Sequence, residues 1–545
     1  MRSIPPPFKR ILVPLLLTFL AGCGSEDSIL NSSSAGAGET ESDGNNTIAN
    51  LVLGDVQPLA FSEDNQAVLN FEGGQPNDQY LLIINSSTVS DQAVSVTMNS
   101  DSAALSSLTA ETIDLSDRAL EEASTAEEFH RLLRDAEKEM ATLVQEGGFS
   151  NLQAAQYYPP SAPTLGSINY FNVLSSLSSL SQYSMVKAKL RYISSTVYVY
   201  VDLDTPSALT DADIKRLAYD YEAVAVPYER KVLGSESDVN KDGHITILMT
   251  PVINRMASTG GMVTGFFYPG DLVCTSGSGS NCQEIFYTFV PDPDGKFGNS
   301  LSVSFVVDQI LPGVLAHEYE HMISFNQRVL VQKGSVEIAS VEEWKAHLFE
   351  DLTGFPLENF SRVKICLNSL SKTSLVGSGS PGLAARGCGY LFLRYLYEQS
   401  ADGEAFLRNL VTNKETGVAN LEKSFAGTSE AFDEFPEFYN TWTAALSLTN
   451  TGLSTDSRFN YQAQKDHPQT GLPTGVCLIC APPDSRGTIL TGPPVTPGIA
   501  FPLSLKLSPT TTQMIQVAKP SKQITLQGSG GAPLSGWILQ KKTAP

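Results

Sequence analysis

The chain has 545 residues, more than one compact core usually holds, so two or three domains are expected. Hydrophobic residues make up 41% and charged residues 17%, a balance that excludes a wholly disordered or fibrous chain and fits globular domains with disordered connectors. The formal net charge of -22 argues against nucleic acid and anionic lipid headgroups as partners.

In chain order, Arg2, Lys9 and Arg10 precede the apolar run ILVPLLLTFLAG at 11–22. The run is too short for a stable span, and Pro14 interrupts it, so 1–22 reads as an export signal. Its end, Leu20-Ala21-Gly22-Cys23, resembles the bacterial lipobox. The resemblance implies a lipoprotein acylated at Cys23 and held to a membrane without crossing it. Gly24 in place of Asp implies an outer-membrane or cell-surface address in the envelope. The six other cysteines suit disulfides in an exported protein. Closeness in sequence favours Cys274–Cys282, Cys366–Cys388 and Cys477–Cys480. The last pair has no second Cys pair to complete a metal site.

Residues 23–50, rich in Ser, Gly, Asn and acids, read as a disordered tether. Residues 51–110 hold short β-like runs such as QYLLIIN and AVSVTMN, a small β domain. Residues 111–165 combine a charged helical pattern over 115–146, stopped by Gly147 and Gly148, with a linker at 157–166. The main domain, 166–482, starts with strands (KLRYISSTVYVYV, HITILMTPV) around a helix capped by Thr210 or Asp211. It continues with helices to about residue 448. In the last of these, Pro436 suits the first turn, and Phe435, Phe438, Trp442 and Leu446 share a face. Residues 483–545 form a C-terminal β module or tail.

The informative stretch is LPGVLAHEYEHMISFNQRVL at 311–330. On a helix, Val314, Glu318, His321, Met322 and Phe325 share one face with His317 beside them, while Tyr319, Glu320, Asn326 and Gln327 point elsewhere. Ionisable groups on an apolar stripe are costly unless paired or metal-bound. Two imidazoles one turn apart can grip one Zn²⁺, and a Glu after the first can take a proton from water at the open position. This HExxH pattern makes His317 and His321 candidate ligands and Glu318 a candidate general base. The third ligand is sought in SVEEWKAHLFEDLTG, where Glu343, His347 and Glu350 share a face and Glu342 and Asp351 are alternatives. The spacing suits an antiparallel helix pair with a metal between.

HEYEHMISFNQ, EEWKAHLFEDLTG and GCGYLFLRYLYEQ resemble the hyicolysin-like secreted zinc metallopeptidases, of the gluzincin type whose third ligand is a Glu. The resemblance covers about 186–448 and implies an α+β, zincin-like fold, with a small β-sheet subdomain and a mainly helical one, flanked by small β modules. It carries the ligands onto His317, His321 and Glu343 and the base onto Glu318. Where that family has a small residue after the third ligand, this chain has Trp344, which leaves Glu342 in competition. The implied activity is zinc-dependent endopeptidase action on protein or peptide substrates. Tyr390 is the candidate oxyanion donor, against a plain core aromatic, with His467 a weaker candidate; His347 is expected to support a ligand. DVNKDG, with Asp238, Asn240 and Asp242, resembles the start of a calcium loop, but Met249 stands where a bidentate Glu would be needed. The rival reading is a surface adhesin on a metallopeptidase scaffold.

Overall fold

A computed structural model describes residues 43–49, 51–73, 78–89, 92–101, 125–147, 162–206, 208–256, 261–274, 279–376, 382–425, 434–480, 484, 487–497, 501–518, 522–530 and 532–542. Cys23 and the expected export signal lie outside them. Among the described residues no helix is long and apolar enough to cross a membrane.

The middle of the chain is built on a six-stranded mixed sheet ordered β10-β11-β9-β8-β7-β6. Its strands are β6 (Ile168–Leu174), β7 (Tyr183–Ile193), β8 (Val197–Asp202), β9 (Ile245–Met249), β10 (Gly265–Phe267) and β11 (Ile285–Thr288). β8, β9 and β11 run parallel and are buried along their length, as strands covered on both faces must be. β10 closes the sheet as an antiparallel edge. Helix α2 (Asp211–Asp220) starts at a Thr210–Asp213 capping box and passes through a π turn into α3 (Val226–Leu233). Pro227, which has no N–H to donate, sits at the point of changeover.

Helices then dominate: α4 (Leu311–Phe325), α5 (Ala339–Leu352), α6 (Leu357–Leu367), α7 (Leu383–Gln399), α8 (Gly403–Thr412), α9 (Gly417–Phe425) and α10 (Phe435–Leu448). Helix α1 (Thr125–Gln145) precedes the sheet in sequence. The molecule is thus mixed α+β. Helix α4 departs from the expected single stripe: every residue but Val314 is buried, Tyr319 and Glu320 included, so it runs through the core. Gly265 is what lets α4 come so close to β10, since a Cβ there would stand 2.7 Å from Val314 Cγ1.

The terminal regions also differ from the expectation of two separate β modules. β1 (Asn45–Ala49), β2 (Val56–Pro58), β3 (Gln66–Glu72), β4 (Gln79–Ser86) and β5 (Val94–Ser100) come from one end of the chain. After two short ribbons, β12–β13 (Lys465–Asp466 with Pro473–Thr474) and β14–β15 (Ile479–Cys480 with Leu490–Thr491), come β16 (Thr496–Pro497), β17 (Leu503–Leu507), β18 (Thr511–Ala518), β19 (Gln523–Ser529) and β20 (Leu534–Lys542). These interleave in two five-stranded sheets, β1-β3-β19-β5-β17 and β16-β18-β4-β20-β2, around a shared core. Neither set closes a sheet alone: β19 lies between β3 and β5, and β4 between β18 and β20. β1 also falls within the stretch expected as tether. The sandwich is fastened to α10 by Asn85 Nδ2 donating to Thr443 Oγ1 (2.8 Å) and Trp537 Nε1 donating to the Asn440 carbonyl (2.7 Å).

Cys366–Cys388 and Cys477–Cys480 are disulfides, whereas Cys274 and Cys282 are buried thiols in contact with each other, not the expected third bridge. Both sit at positive φ, 54° and 49°.

Candidate metal centre

The register between α4 and α5 shows that they run antiparallel. His317 meets Glu350, His321 meets Glu342, and Ser324 meets Glu342 and Lys345, so partners fall in number as α4 advances. This places three ligand-type side chains face to face. His317 Nε2 is 3.5 Å from Glu343 Oε2, and His321 Nε2 is 3.9 Å from Glu343 Oε1. One ligand atom from each of the three lies within 4.8 Å of the others, and all three residues are buried.

The donor set fits a divalent metal on two counts. His321 Nε2 and both Glu343 oxygens are buried without a hydrogen bond, and although Arg386 Nη1 stands 2.9 Å from Oε2, the Oε1 side between the two imidazoles has room for a further partner. Ligands bound at about 2.1 Å around a tetrahedral ion also stand roughly 3.4 Å apart, close to the spacing found. The two imidazoles are turned the right way. Glu350 Oε1 lies 2.9 Å from His317 Nδ1, so Nδ1–H donates and Nε2 is left as the lone-pair nitrogen. Glu342 Oε1 does the same for His321 at 3.4 Å.

The two rivals for third ligand sit differently, although Glu342 also groups with His321 and Glu320. Glu343 faces both Nε2 atoms. Glu342 is engaged on the far side of His321, with Ser324 and, at 2.8 Å, Lys345. Lys345 is fully buried and also pairs with Glu320 at 3.0 Å. Glu320 therefore does not face solvent; it belongs to a charge cluster beneath His321. His347 shares Glu350 with His317, its Nδ1 2.7 Å from Oε1. Trp344 is accommodated by α7: a Cβ on Gly389 would stand 1.8 Å from its ring, so a missing side chain on α7 makes room for the large one on α5.

Titration follows from these contacts. Burial works against an ionised Glu343, but Arg386, at 2.9 Å, and both imidazoles outweigh it and hold the carboxyl well below its usual range. His321 is disfavoured as a cation by burial and by Arg134, yet Glu320, Glu342 and Glu343 outweigh both and push it up to about 10. Without metal that imidazole keeps a proton, so metal uptake must release it.

Glu318 is also buried, and its Oε2 accepts the Phe267 N–H at 2.9 Å. The candidate base is thus held beside the edge strand of the sheet. Tyr390 is elsewhere engaged. Its hydroxyl donates to Asp351 Oδ2 at 2.9 Å, and Asp351 lies eight positions beyond Glu343, about 12 Å along the helix. The same carboxylate takes Arg394 Nη1 and the Gly475 N–H, each at 2.9 Å. This is a closed structural cluster, so Tyr390 is placed as a core residue. His467 sits against Gly354 and accepts the Thr470 N–H at 3.4 Å. His244 stacks on Tyr198 at 4.0 Å, a packing role. Sequence reasoning missed Arg386 and Arg134. For Arg386 no sequence signal exists; for Arg134, Phe129, Leu133 and Ala136 mark the buried side of α1.

No family model matches the chain. Over 277 residues it is 26% identical to the neutral metalloprotease ShpI of Staphylococcus hyicus, a match covering 49% of this chain. It is a distant relative of a metalloprotease. The match covers 60% of that relative's length. The relationship and the His/Glu cluster agree on a divalent metal.

Proposed function

We propose that the chain is a lipid-anchored zinc endopeptidase of the bacterial envelope. The observation that carries the reading is the trio His317, His321 and Glu343, buried together with atoms left for a partner. Zinc held there supplies a Lewis acid that polarises the scissile carbonyl and acidifies water. Glu318 takes the water proton on its carboxylate and returns it to the leaving amine. Phe267, whose N–H points away from β11 toward Glu318, marks the open edge of β10, where an extended peptide can add as a further strand. Arg386, paired with Glu343 at 2.9 Å, keeps that carboxylate ionised for the metal. The anchor is supported by the LAGC stretch ending at Cys23.

The test pairs metal content with hydrolysis of casein and a broad peptide library. Glu318→Gln should keep its zinc and lose about 100-fold or more of the cleavage rate. Zinc-loaded protein that cleaves nothing, with its cleft open, would favour the adhesin. The observation on that side is the covered cleft described below. We further propose calcium at Asp238, Asn240 and Asp242. The reading is supported by the folded turn, in which Asp238 Oδ1 accepts the Gly243 N–H at 3.1 Å and Asp242 Oδ1 the His244 N–H at 2.8 Å. A calcium-dependent rise in melting temperature, lost in Asp242→Asn, tests it.

A further inference from the structure

Helix α1 lies outside both the sandwich and the six-stranded sheet, yet its inner side is as buried as the core. Phe129 and Leu133 are fully buried, with Ala136, Ala141 and Val144 beside them, while Lys138, Glu139 and Thr142 face solvent. That inner side is set against three walls of the metal centre. Phe129 stands edge-on to Phe266 of β10, ring centroids 5.3 Å apart. Phe266 adjoins Phe267, whose N–H is held by Glu318. Glu127 Oε1 accepts the Leu383 N–H at 3.0 Å, at the start of α7. Between these two contacts Arg134, only 3% exposed, extends to Glu343, with Nε 4.0 Å from Oε1.

Arg134 is an unusual residue to bury there. Neither its Nε nor its Nη1 makes a hydrogen bond; its charge is balanced by Glu137 at 3.0 Å and by Glu343, with Glu342 and Glu318 adding to the field. These carboxylates offset the desolvation of the guanidinium, so the helix is held by charge at the metal centre as well as by its apolar contacts. The same guanidinium faces the carboxylate that a divalent cation would share. Arg134 and a metal ion repel each other across Glu343, so each disfavours the other.

We propose that α1 is an intramolecular plug. It packs on Phe266 of β10 and on the Glu343 side of the metal centre, making the chain as folded a latent form, and metal loading weakens its hold through Arg134. The inference rests on the peptidase reading of the same site. It predicts that metal and peptide both reach the centre only as fast as α1 moves aside.

The test uses the full chain carrying recognition sites for a specific protease in 102–124 and 148–161, cut after folding, alongside uncut Arg134→Ala and Phe129→Asp variants. Lys138→Ala, on the solvent side, is the control. The first readout is release of bound zinc to a chelator, which needs no activity. Cutting or Phe129→Asp should speed release at least 10-fold, Arg134→Ala should tighten zinc binding, and Lys138→Ala should match the parent. Hydrogen exchange across β8, β9 and α4 confirms that the rest stays folded. Release at the parental rate in the cut protein, once α1 has been separated from it by size exclusion, overturns the plug. So does peptide hydrolysis by the uncut parent at the rate of the cut form, which leaves the peptidase reading standing. Fast release without hydrolysis in any form upholds the plug and sinks the peptidase.

Discussion

The two ends of α5 make opposite use of buried charge. At the C-terminal end, Asp351 is fully buried and closed: Tyr390, Arg394 and the Gly475 N–H all bond to it. At the N-terminal end, Glu343 is equally buried and Arg386 pairs with its Oε2 at 2.9 Å, yet neither oxygen makes a hydrogen bond and His321 Nε2 faces it with none either. A satisfied cluster holds elements together; an unsatisfied one of the same composition is a place for a ligand. The difference lies in what each carboxylate can reach.

Breaking the closed end should have the largest effect. Asp351→Ala strands Arg394 and Tyr390, and urea unfolding of the zinc-free chain should show a loss of about 3–5 kcal/mol. At the open end, Glu350→Gln leaves the fold intact but frees His317 to turn. Zinc affinity should fall by about 10–100-fold in competition with a chromogenic chelator. Gly389→Ala, between the ends, drives a Cβ into Trp344 and should cost about 1–3 kcal/mol, part of it recovered when Trp344→Ala is added. Away from both ends the effect is a slope with pH, small at any one pH. Burial, against the hydrogen bonds of Tyr287 and Asn281, pushes the Asp271 carboxyl up to about 7. Its folded form holds a proton that the unfolded chain has lost above about pH 4, so stability falls as pH rises from about 4 to 7. Asp271→Asn should flatten that slope, by at most about 1.4 kcal/mol per pH unit, in melting curves taken across the window.

Those experiments also mark what could be read in advance. His317, Glu318 and His321 are legible because their spacing is local: one helical turn fixes which side chains meet. Glu343 needed a family pattern beside the spacing, since four acids on α5 compete and only the position of α4 separates them. Tyr390 stayed open between oxyanion donor and core aromatic because an aromatic on a helix says nothing of which carboxylate it will find; Asp351 and Gly475 come from 39 and 85 positions away in sequence. The sandwich was illegible for the same reason. β4 reads as a strand by itself, but its partners β18 and β20 lie at the other end of the chain. Helix α1 was recognisable as a helix, and its buried side as apolar, but nothing in that pattern names the metal centre as the surface it covers.

The central claim is that Glu343, and not Glu342, completes the metal site. Zinc titration of the parent chain, Glu343→Gln and Glu342→Gln tests it most directly. The expected result is one zinc per parent chain, with affinity reduced at least about 100-fold in Glu343→Gln and less in Glu342→Gln, which only disturbs the far nitrogen of His321. Zinc held by Glu343→Gln as tightly as by the parent would contradict it.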